Sequence, residues 1–540
     1  MLKRLFPFLA LFTLTLGLLL ACGGPPQPTN SSTIEPEAST AGTSSVLVFG
    51  RGSDSPSLDP ANASDFESFI VTRNLYETLV ALKDGTTDIE PELAESWQIS
   101  PDGKTYSFKL RQGVKFHDGT DLNADAVVTN YERWLNKEGG GTYDYFQTVF
   151  GGFAGEPDLL TQSVKAVDPY TVEFQLKRPF GPFLGALSLP AFGIVSPKAL
   201  VSGQSINDKP VGTGPFRFKQ WLRNETITLE KFPEYWRQGE PRVAQLIYQV
   251  VPEDQARLTA LNTQQIDLMD GLNPDQLSQV QGQDQLQVFK RPSFSIGYLG
   301  FNVTKPPFDK VQVRQAISYA VNKQAVVQAF YAGNAQAAIN PMPPSIPGYA
   351  NQIQDYDYNP DKAKQLLTEA GLPNGFDTEI WISSKGSKIL PKADRMAEAF
   401  QQDLAKVGIR AKIVDSEWAT FLADTRAGKQ QMFLLGWSGD YADAESFLGP
   451  LFNGRNIPGN NRFRYNNPRV NKLLDDALVL TDEAERRALY VQAQEILKQD
   501  APLVPLVHVS LLLAGSKDVQ GYKPSPVGSD SLARVSVGNT

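Results

Sequence analysis

The sequence has very few of the residues on which disulfides and metal centres depend. One cysteine, Cys22, and two histidines, His117 and His508, occur among 540 residues. A chain with one cysteine cannot form an internal disulfide, so we expect its stability to come from burial of a core. Two histidines and no cysteine pair also disfavour a dedicated metal site, and no metal or other cofactor is predicted.

Several signatures of catalysis and nucleic-acid binding are also missing. The sequence contains no Gly-x-Ser-x-Gly and no His-Glu-x-x-His, and two histidines leave few options for a catalytic triad. Gly212-Thr-Gly214-Pro is too short and too proline-bound for a phosphate loop. No stretch pairs clustered Lys/Arg with interleaved aromatics, which disfavours nucleic acid as a partner. An extracytoplasmic hydrolase is therefore a poor alternative, and we predict a protein that is not an enzyme.

An apolar run near the N-terminus is too short to span a membrane. An uncharged run, residues 5–21, follows Lys3 and Arg4, contains Pro7, and falls short of the roughly 20 residues that a spanning helix needs. It ends at Ala21-Cys22, which resembles a bacterial lipobox. We predict a lipoprotein signal peptide at 1–21 and lipidation of Cys22, the alternative being an ordinary signal peptide with an incidental cysteine. The protein would then be anchored in the cell envelope, in the periplasm or on the outer face of the cytoplasmic membrane.

The mature chain divides by composition into a tether and a globular body. Residues 22–45 are rich in Pro, Gly, Ser and Thr and cannot bury enough apolar surface to order themselves, so they predict a flexible tether. The body that follows has some 495 residues (540 minus 45), which is too long for one core. The full chain, with 41% hydrophobic and 20% charged residues and a formal net charge of −8, has the composition of an ordinary soluble globular protein, and the length of the body indicates two or three lobes.

A short apolar stretch and the loop after it form the first candidate ligand site. Residues 432–436 follow Gly428 and predict a buried strand, and Trp437-Ser-Gly-Asp440-Tyr441 predicts the loop that leaves it. In open α/β sheets, ligands lie outside the carboxyl ends of strands. Asp440 could hold a cationic amine there while Trp437 and Tyr441 shield the pair from water. The alternative is that Asp440 only caps a helix that begins near Asp443.

A second candidate loop follows the first predicted strand, residues 46–50. Gly50 and Gly52 allow close approach of the backbone, so the loop at 51–60 could face a ligand, or could be only a turn. Farther on, Asp102-Gly103 joins two alternating runs and predicts a hairpin. Asn123 is expected to cap the next helix.

The C-terminal half alternates between helical and strand patterns. A helix is predicted from Asn359-Pro360 to Gly371, another between 393 and 407, a strand at 409–413, and a helix at 421–427 before the strand at 432–436. This alternation indicates a sheet covered by helices. Asp482 with Glu485 resembles a capping box before a long helix.

One stretch carries a specific resemblance. Residues 91–128, PELAESWQISPDGKTYSFKLRQGVKFHDGTDLNADAVV, match at fixed spacing the signature of family 5 extracellular solute-binding proteins, the dipeptide- and oligopeptide-binding components of ABC importers. The pair His117-Asp118 belongs to the FHDGT turn of that signature, where a structural role is favoured. Further segments that resemble the family are GGGTYDYF at 139–146, PVGTGPF at 210–216, residues 298–302 followed by 313–322, and residues 501–508.

The resemblance implies an α/β fold of the periplasmic-binding-protein clamp type, type II, with two lobes. The implied boundaries are 46–290 for the first lobe, with an extra subdomain at about 65–205, then 291–505 for the second lobe and 506–540 for the return. The two crossing segments are expected near 291–297 and 501–506. Lobe closure on a solute would favour the closed state, which delivers the solute to the permease of an ABC transporter. We expect a monomer.

The resemblance also implies a set of ligand-binding residues. In peptide-binding members, the aspartate after the Trp-x-x-Asp phrase pairs with the α-amino group of the ligand, and Asp440 stands at that position. Trp437 and Trp418 match aromatic positions near the cleft, although Trp418 could equally belong to the core. Gly52, Ser53 and Asp54 match the ligand loop of the first lobe.

One position departs from the family pattern. Dipeptide-specific members carry an arginine for the ligand carboxylate, and the spacing places Ser387 there, between Lys385 and Lys388. Either lysine could act as a point charge without the bidentate fork of arginine. The ligand could also be longer, or not a dipeptide.

These observations predict a binding protein that captures short peptides. Two alternatives within the same fold stay open, an oligosaccharide stacked on some of the seven tryptophans and a nickel chelate, which the two histidines disfavour.

Overall fold

The computed structural model describes residues 45–331, 333–384 and 389–538. Within these ranges the strands form two large sheets, one four-stranded sheet and two two-stranded ribbons. The strands are β1 (Val46–Arg51), β2 (Val80–Leu82), β3 (Ile89–Pro91), β4 (Ala94–Ile99), β5 (Thr105–Leu110), β6 (Thr161–Asp168), β7 (Thr171–Leu176), β8 (Phe216–Leu222), β9 (Thr226–Lys231), β10 (Gln245–Val250), β11 (Leu268–Met269), β12 (Leu286–Arg291), β13 (Ser295–Phe301), β14 (Ala335–Ala337), β15 (Phe376–Ile382), β16 (Ile409–Asp415), β17 (Met432–Ser438), β18 (Leu503–Val509), β19 (Leu511–Ser516), β20 (Val519–Gln520) and β21 (Ser536–Val537).

Helices cover the sheets and connect their strands. They are α1 (Phe66–Leu75), α2 (Ala124–Leu135), α3 (Asp144–Phe150), α4 (Phe183–Leu187), α5 (Pro197–Leu200), α6 (Asp254–Asn262), α7 (Leu277–Gln281), α8 (Val311–Ala320), α9 (Lys323–Tyr331), α10 (Pro360–Glu369), α11 (Ala393–Ala405), α12 (Trp418–Ala427), α13 (Glu445–Phe452), α14 (Pro468–Val479) and α15 (Glu483–Asp500). Short 3₁₀ turns lie at Pro60–Asn62, Pro190–Phe192, Pro274–Gln276 and Gly454–Asn456.

The first large sheet contains the N-terminal strand of the body. Its seven strands run in the order β12-β19-β11-β1-β10-β9-β8, and β1 pairs in parallel with both β10 and β11. Leu47 and Phe49 of β1 are fully buried in one apolar cluster on this sheet, and Leu258 and Met269 are buried in another. A sheet with apolar side chains on both faces has to be covered on both faces, and the helices and the C-terminal segment provide the cover.

The four-stranded sheet is antiparallel, in the order β4-β5-β7-β6. Alternate residues of β5 are buried, so Tyr106, Phe108 and Leu110 enter an aromatic-rich core while the residues between them face outward. The predicted hairpin at Asp102-Gly103 is confirmed, with Gly103 at a φ of 67° that a side chain would disfavour. The predicted cap at Asn123 is also confirmed, because its side chain accepts a hydrogen bond from the Ala126 N–H.

The second large sheet has six strands in the order β14-β18-β13-β17-β15-β16. Every residue of β13 is buried, because the side chains of this central strand alternate between two apolar cores. Leu299 and Phe301 lie in one core, and Ile296 and Tyr298 in the other. The predicted strand at 432–436 is β17, and it lies beside β13 near the middle of this sheet.

The helices predicted for the C-terminal half are confirmed with small shifts at their ends. Asn359 caps α10, and Asp482 caps α15 by accepting a hydrogen bond from the Glu485 N–H. Helix α11 ends at Ala405 rather than near residue 407, and α12 begins at Trp418 rather than at residue 421. The alternation of helix and strand that indicated a covered sheet is therefore present.

The chain passes between the two large sheets twice. It leaves the first sheet at the end of β12 and enters the second at Ser295, so residues 292–294 form one passage, within the predicted range. It returns between β18 and β19 through Ser510 alone. This return lies later than the predicted 501–506, because β18 stays hydrogen-bonded to its own sheet through Val509, opposite Ala335. The finer boundaries of the lobes and the subdomain stay a prediction.

Over the described ranges, no helix combines the length and the apolar character needed to cross a bilayer.

A buried ion pair fastens the C-terminal segment beside the first passage. Arg291, at the end of β12, donates to both carboxylate oxygens of Asp530 at 2.7 and 2.6 Å. Asp530 also accepts from the Tyr522 hydroxyl and the Ser525 N–H, and its side chain has no exposed surface. Each buried charge is therefore compensated only as long as the other is present.

We expect Asp530→Ala to lower the free energy of unfolding by about 3–5 kcal/mol, because Arg291 would be left buried without its counter-charge. Urea denaturation at pH 7 measures the loss. The matched control is Asp476→Ala, which removes an exposed i,i+4 pair with Lys472 and should change stability by less than about 1 kcal/mol. Equal effects of the two substitutions would contradict the role of the buried pair.

Candidate functional site

The candidate loop leaves the carboxyl end of β17. It is fixed by the first turn of α13, since the Asp440 N–H donates to Ser446 Oγ at 2.5 Å and the Trp437 indole N–H donates to the Ser446 carbonyl at 2.8 Å. β17 itself is hydrogen-bonded to β13 on one side and β15 on the other. The backbone of Asp440 is therefore held rigidly, although the residue lies in a loop.

Within the ranges that the structure describes, no hydrogen bond or ion pair reaches the Asp440 carboxylate, and the residue is neither fully buried nor fully exposed. Burial raises the pKa of Asp440 to about 6. Asp440 does not cap α13, because the N-cap residue is Ala444, and the nearby Glu445 N–H donates to Asp443 Oδ1 at 2.9 Å. A half-buried carboxylate without a partner is suited to binding a cation.

The negative charge of Asp440 also affects the pKa of Tyr145. Burial raises the pKa of the Tyr145 hydroxyl, and the negative charge of Asp440 raises it further. Tyr145 belongs to α3, in the aromatic core of the four-stranded sheet, where its ring centroid lies 5.5 Å from that of Phe69. Tyr145 has no signal of its own in the sequence, although it lies in the GGGTYDYF segment that carries part of the resemblance.

The three predicted aromatic residues have different surroundings. Trp437 and Trp418 are both half-buried and pack against one apolar core of the six-stranded sheet, and the Trp418 ring stacks on Phe421 at 6.0 Å. Tyr441 is only 5% exposed and packs into the core of the four-stranded sheet. Its hydroxyl donates to a carboxylate oxygen of Glu445. Tyr441 thus connects the loop after β17 to the core of the four-stranded sheet. Contact of the three rings with a ligand stays a prediction.

The loop after β1 is held by internal hydrogen bonds. The carboxylate of Asp54 accepts from Arg51 at 3.0 Å, from the Trp221 indole at 2.9 Å and from the Asn224 N–H at 2.8 Å. Ser53 is exposed and Gly52 is partly exposed. Asp54 therefore connects this loop to the β8–β9 hairpin, and the proposed ligand contacts of residues 52–54 stay a prediction.

Other predicted positions lie outside the described residues. These are the lipidation site Cys22 and the positions around the missing arginine, Lys385, Ser387 and Lys388.

The ring of each histidine lies at hydrogen-bonding distance from a backbone carbonyl. The ring of His117 lies 3.0 Å from the Gly214 carbonyl through Nε2 and accepts a hydrogen bond from the Gly212 N–H through Nδ1, so the structural role favoured for it is observed. His508 Nδ1 lies 3.0 Å from the Ser295 carbonyl. Burial lowers the pKa of each to about 4. In the described part of the chain, no group of three or more His, Cys, Asp or Glu side chains is placed to hold a metal ion.

Comparison with known proteins identifies the family. The family model described as "Bacterial extracellular solute-binding proteins, family 5 Middle" matches residues 88–459. The chain belongs to this family. The match includes Asp440 and the hairpin that carried the resemblance, and it confirms the family predicted from the sequence.

Relatives of this family 5 protein match it over most of its length. Heme-binding protein A of Haemophilus influenzae is 37% identical, over 97% of this chain and 98% of its own. The dipeptide-binding protein of Escherichia coli is also 37% identical, over 86% of this chain and 89% of its own.

Solved structures confirm the two-lobed clamp. HbpA2 from Haemophilus parasuis superimposes with a TM-score of 0.87 at 35% identity, covering 92% of this chain and 100% of its own. The periplasmic binding protein DppA from Helicobacter pylori, in complex with peptide STSA, gives 0.71 at 36% identity, covering 92% and 98%. A different angle between lobes lowers such a score without any change of fold.

We expect Asp440→Asn to raise the stability of the ligand-free protein at pH 8 by about 1–2 kcal/mol, after allowance for partial exposure. The folded-state pKa of Asp440, about 6, lies above the ordinary value of 3.8, so ionisation opposes folding. The gain should shrink as the pH falls through 6 and vanish below about 4. Denaturant unfolding at several pH values measures it, and a less stable variant at pH 8 would indicate that the carboxylate is stabilised internally.

Proposed function

We propose that this family 5 protein captures short peptides by lobe closure and delivers them to the permease of an ABC transporter. The observation that carries the proposal is the unpartnered carboxylate of Asp440 at the carboxyl end of β17. A peptide ammonium group supplies the positive charge that this site lacks. Dipeptide-binding proteins among the relatives support the choice of ligand class.

The energetics favour an ionised amino end. Binding of an ammonium group would return the pKa of Asp440 toward its ordinary value, because the pair replaces an ionised group that is half-buried and alone. A hydrogen bond to a charged group contributes about 1.5–3 kcal/mol, or about 10- to 150-fold in affinity. Peptides with a free amino end would be selected over blocked ones.

Residues from both lobes would surround the ligand. Tyr145 of α3, whose pKa the negative charge of Asp440 raises, would add a hydroxyl group near the ligand. Trp437 and Trp418 would supply apolar surface for the ligand side chains, and Gly52, Ser53 and Asp54 would approach from the loop after β1. A ligand that contacts both lobes stabilises the closed arrangement, because only there can it make all of its contacts.

At the carboxylate end of the peptide we assign Ser387 and Lys388. Either neighbouring lysine, Lys385 or Lys388, would act as a point charge, with less geometric selectivity than an arginine. Relaxed preference for peptide length follows from that substitution.

Heme is the second candidate ligand, since the relative matched over 97% of the chain is named heme-binding protein A. The two histidines argue against axial ligation, because His508 is buried, His117 is partly buried, and each ring lies at hydrogen-bonding distance from a backbone carbonyl. Heme also carries no amine and would not need Asp440.

We expect Asp440→Ala to weaken binding of a free dipeptide by about 10- to 150-fold in titration calorimetry. The N-acetylated dipeptide should bind the wild type as weakly as the free dipeptide binds the variant, and the substitution should not weaken it further. Asp424→Ala removes a carboxylate paired with Lys429 and serves as the control with unchanged affinity. Unchanged affinity of Asp440→Ala for the free dipeptide would contradict the proposal.

We further propose that lipid on Cys22 anchors the protein to the membrane outside the cytoplasm, with residues 23–45 as the tether. Two acyl chains provide stable anchoring, whereas a single chain binds reversibly. The protein would act there as a monomer.

For Cys22→Ser, we expect the protein to move from the membrane fraction to the soluble fraction of the cell envelope. Fractionation and intact-mass measurement of the mature chain test this. A Cys22→Ser chain that stays in the membrane fraction would exclude lipid on Cys22 as the anchor.

A further inference from the structure

A cavity of about 390 Å³ lies between the lobes, and Asp440 is not among its lining residues. We call it the interlobe cavity. On one side it is lined by the β2–β3 turn, the four-stranded sheet and the start of α4, and on the other by residues 442–443, Pro347 and the start of α15. The buried Tyr441 stands in the chain between Asp440 and the lining residues Ala442 and Asp443. None of the described residues proposed to bind the peptide lines this cavity.

Hydrogen bonds between the lobes hold the two walls in place. The Gly181 N–H donates to the Leu478 carbonyl at 2.8 Å, and the Thr87 hydroxyl donates to the Ser345 carbonyl at 2.7 Å. A Cβ atom added at Gly181 would lie 2.2 Å from the Leu480 carbonyl oxygen, so the walls touch directly there. Gly181 and Thr87 both line the cavity, which is consequently bounded by fixed contacts.

The charges of the lining do not cancel. Arg486 is paired with Asp443 at 2.7 Å, where both side chains are largely buried, and Arg487 is paired with Glu483. Asp88 is the remaining charged residue of the lining, and within the described ranges no ion pair or hydrogen bond reaches its carboxylate. Three carboxylates against two guanidinium groups leave the cavity with one net negative charge.

The wall beside Asp88 is aromatic and apolar. Trp97 is half-buried and lines the cavity together with Ile99 and Leu184. The face of an indole ring attracts cations, most strongly where water is partly excluded. A carboxylate and an indole in one cavity favour a cation that carries an apolar group.

We propose that the interlobe cavity is a second ligand site, which takes a small organic cation such as an arylalkylammonium ion. The ammonium group lies between Asp88 and the Trp97 ring, and the apolar group packs on Ile99 and Leu184. The ion pairs of Arg486 and Arg487 stay intact.

The test uses 4-bromophenethylammonium with the full mature chain. We expect saturable binding in titration calorimetry, and a bromine anomalous peak inside the interlobe cavity in a soaked crystal. Trp97→Leu should weaken binding about 3- to 30-fold. Asp88→Asn, an exposed position that should leave folding intact, should weaken it and reduce its dependence on salt. The uncharged 4-bromophenethyl alcohol should bind more weakly than the cation.

The decisive comparison is with the peptide site. Asp440→Ala should leave cation binding unchanged, and Asp88→Asn should leave dipeptide binding by the site at Asp440 unchanged. Loss of cation binding in Asp440→Ala, a bromine peak at Asp440, or no saturable binding would overturn the second site. A failure of dipeptide binding would contradict only the function proposed for Asp440.

Discussion

The function proposed for this protein depends on an ionisable side chain held without a counter-charge. Asp440 is half-buried, no described residue neutralises it, and its pKa is raised to about 6. The unfolded chain would solvate the same carboxylate fully, so the folded protein maintains it at a cost in stability. Such a cost is typical of binding sites, where the missing interaction is supplied by the ligand.

The sheet provides the rigidity that makes this arrangement possible. β17 is hydrogen-bonded on both sides, and β13 next to it is buried along its whole length. Asp440 is therefore fixed by backbone hydrogen bonds and by Ser446 rather than by contacts of its own carboxylate. A rigid support keeps an unsatisfied group from rotating toward water or toward a neighbouring donor.

Local patterns predicted much of the fold. The hairpin at Asp102-Gly103, the caps at Asn123 and Asn359, and the strand before Asp440 depend on residues close in sequence, and all are observed. The return between lobes was placed too early because the continuous apolar run of β18 carries no sign of where one sheet ends and the next begins.

Surroundings that depend on distant parts of the chain could not be predicted from sequence. The burial of the Tyr441 ring in the core of the four-stranded sheet has no signal in the sequence around it, and its role beside the ligand stays a prediction. The hydrogen bonds of Asp54 come from Trp221 and Asn224, more than 160 positions away. The proximity of Tyr145 to Asp440 likewise arises from the packing of two separate parts of the chain.

The burial of Tyr441 links the geometry of the loop to movement of the lobes. Its ring is buried in the core of the four-stranded sheet, while its backbone follows Asp440 after the carboxyl end of β17 in the six-stranded sheet. A rotation about Ser510 and the passage at 292–294 must either withdraw the ring from that core or carry the four-stranded sheet along. The part of the clamp that moves as one unit would then depend on the core in which the Tyr441 ring is buried. The axis of motion would depend on Tyr441 as much as on the two connecting segments.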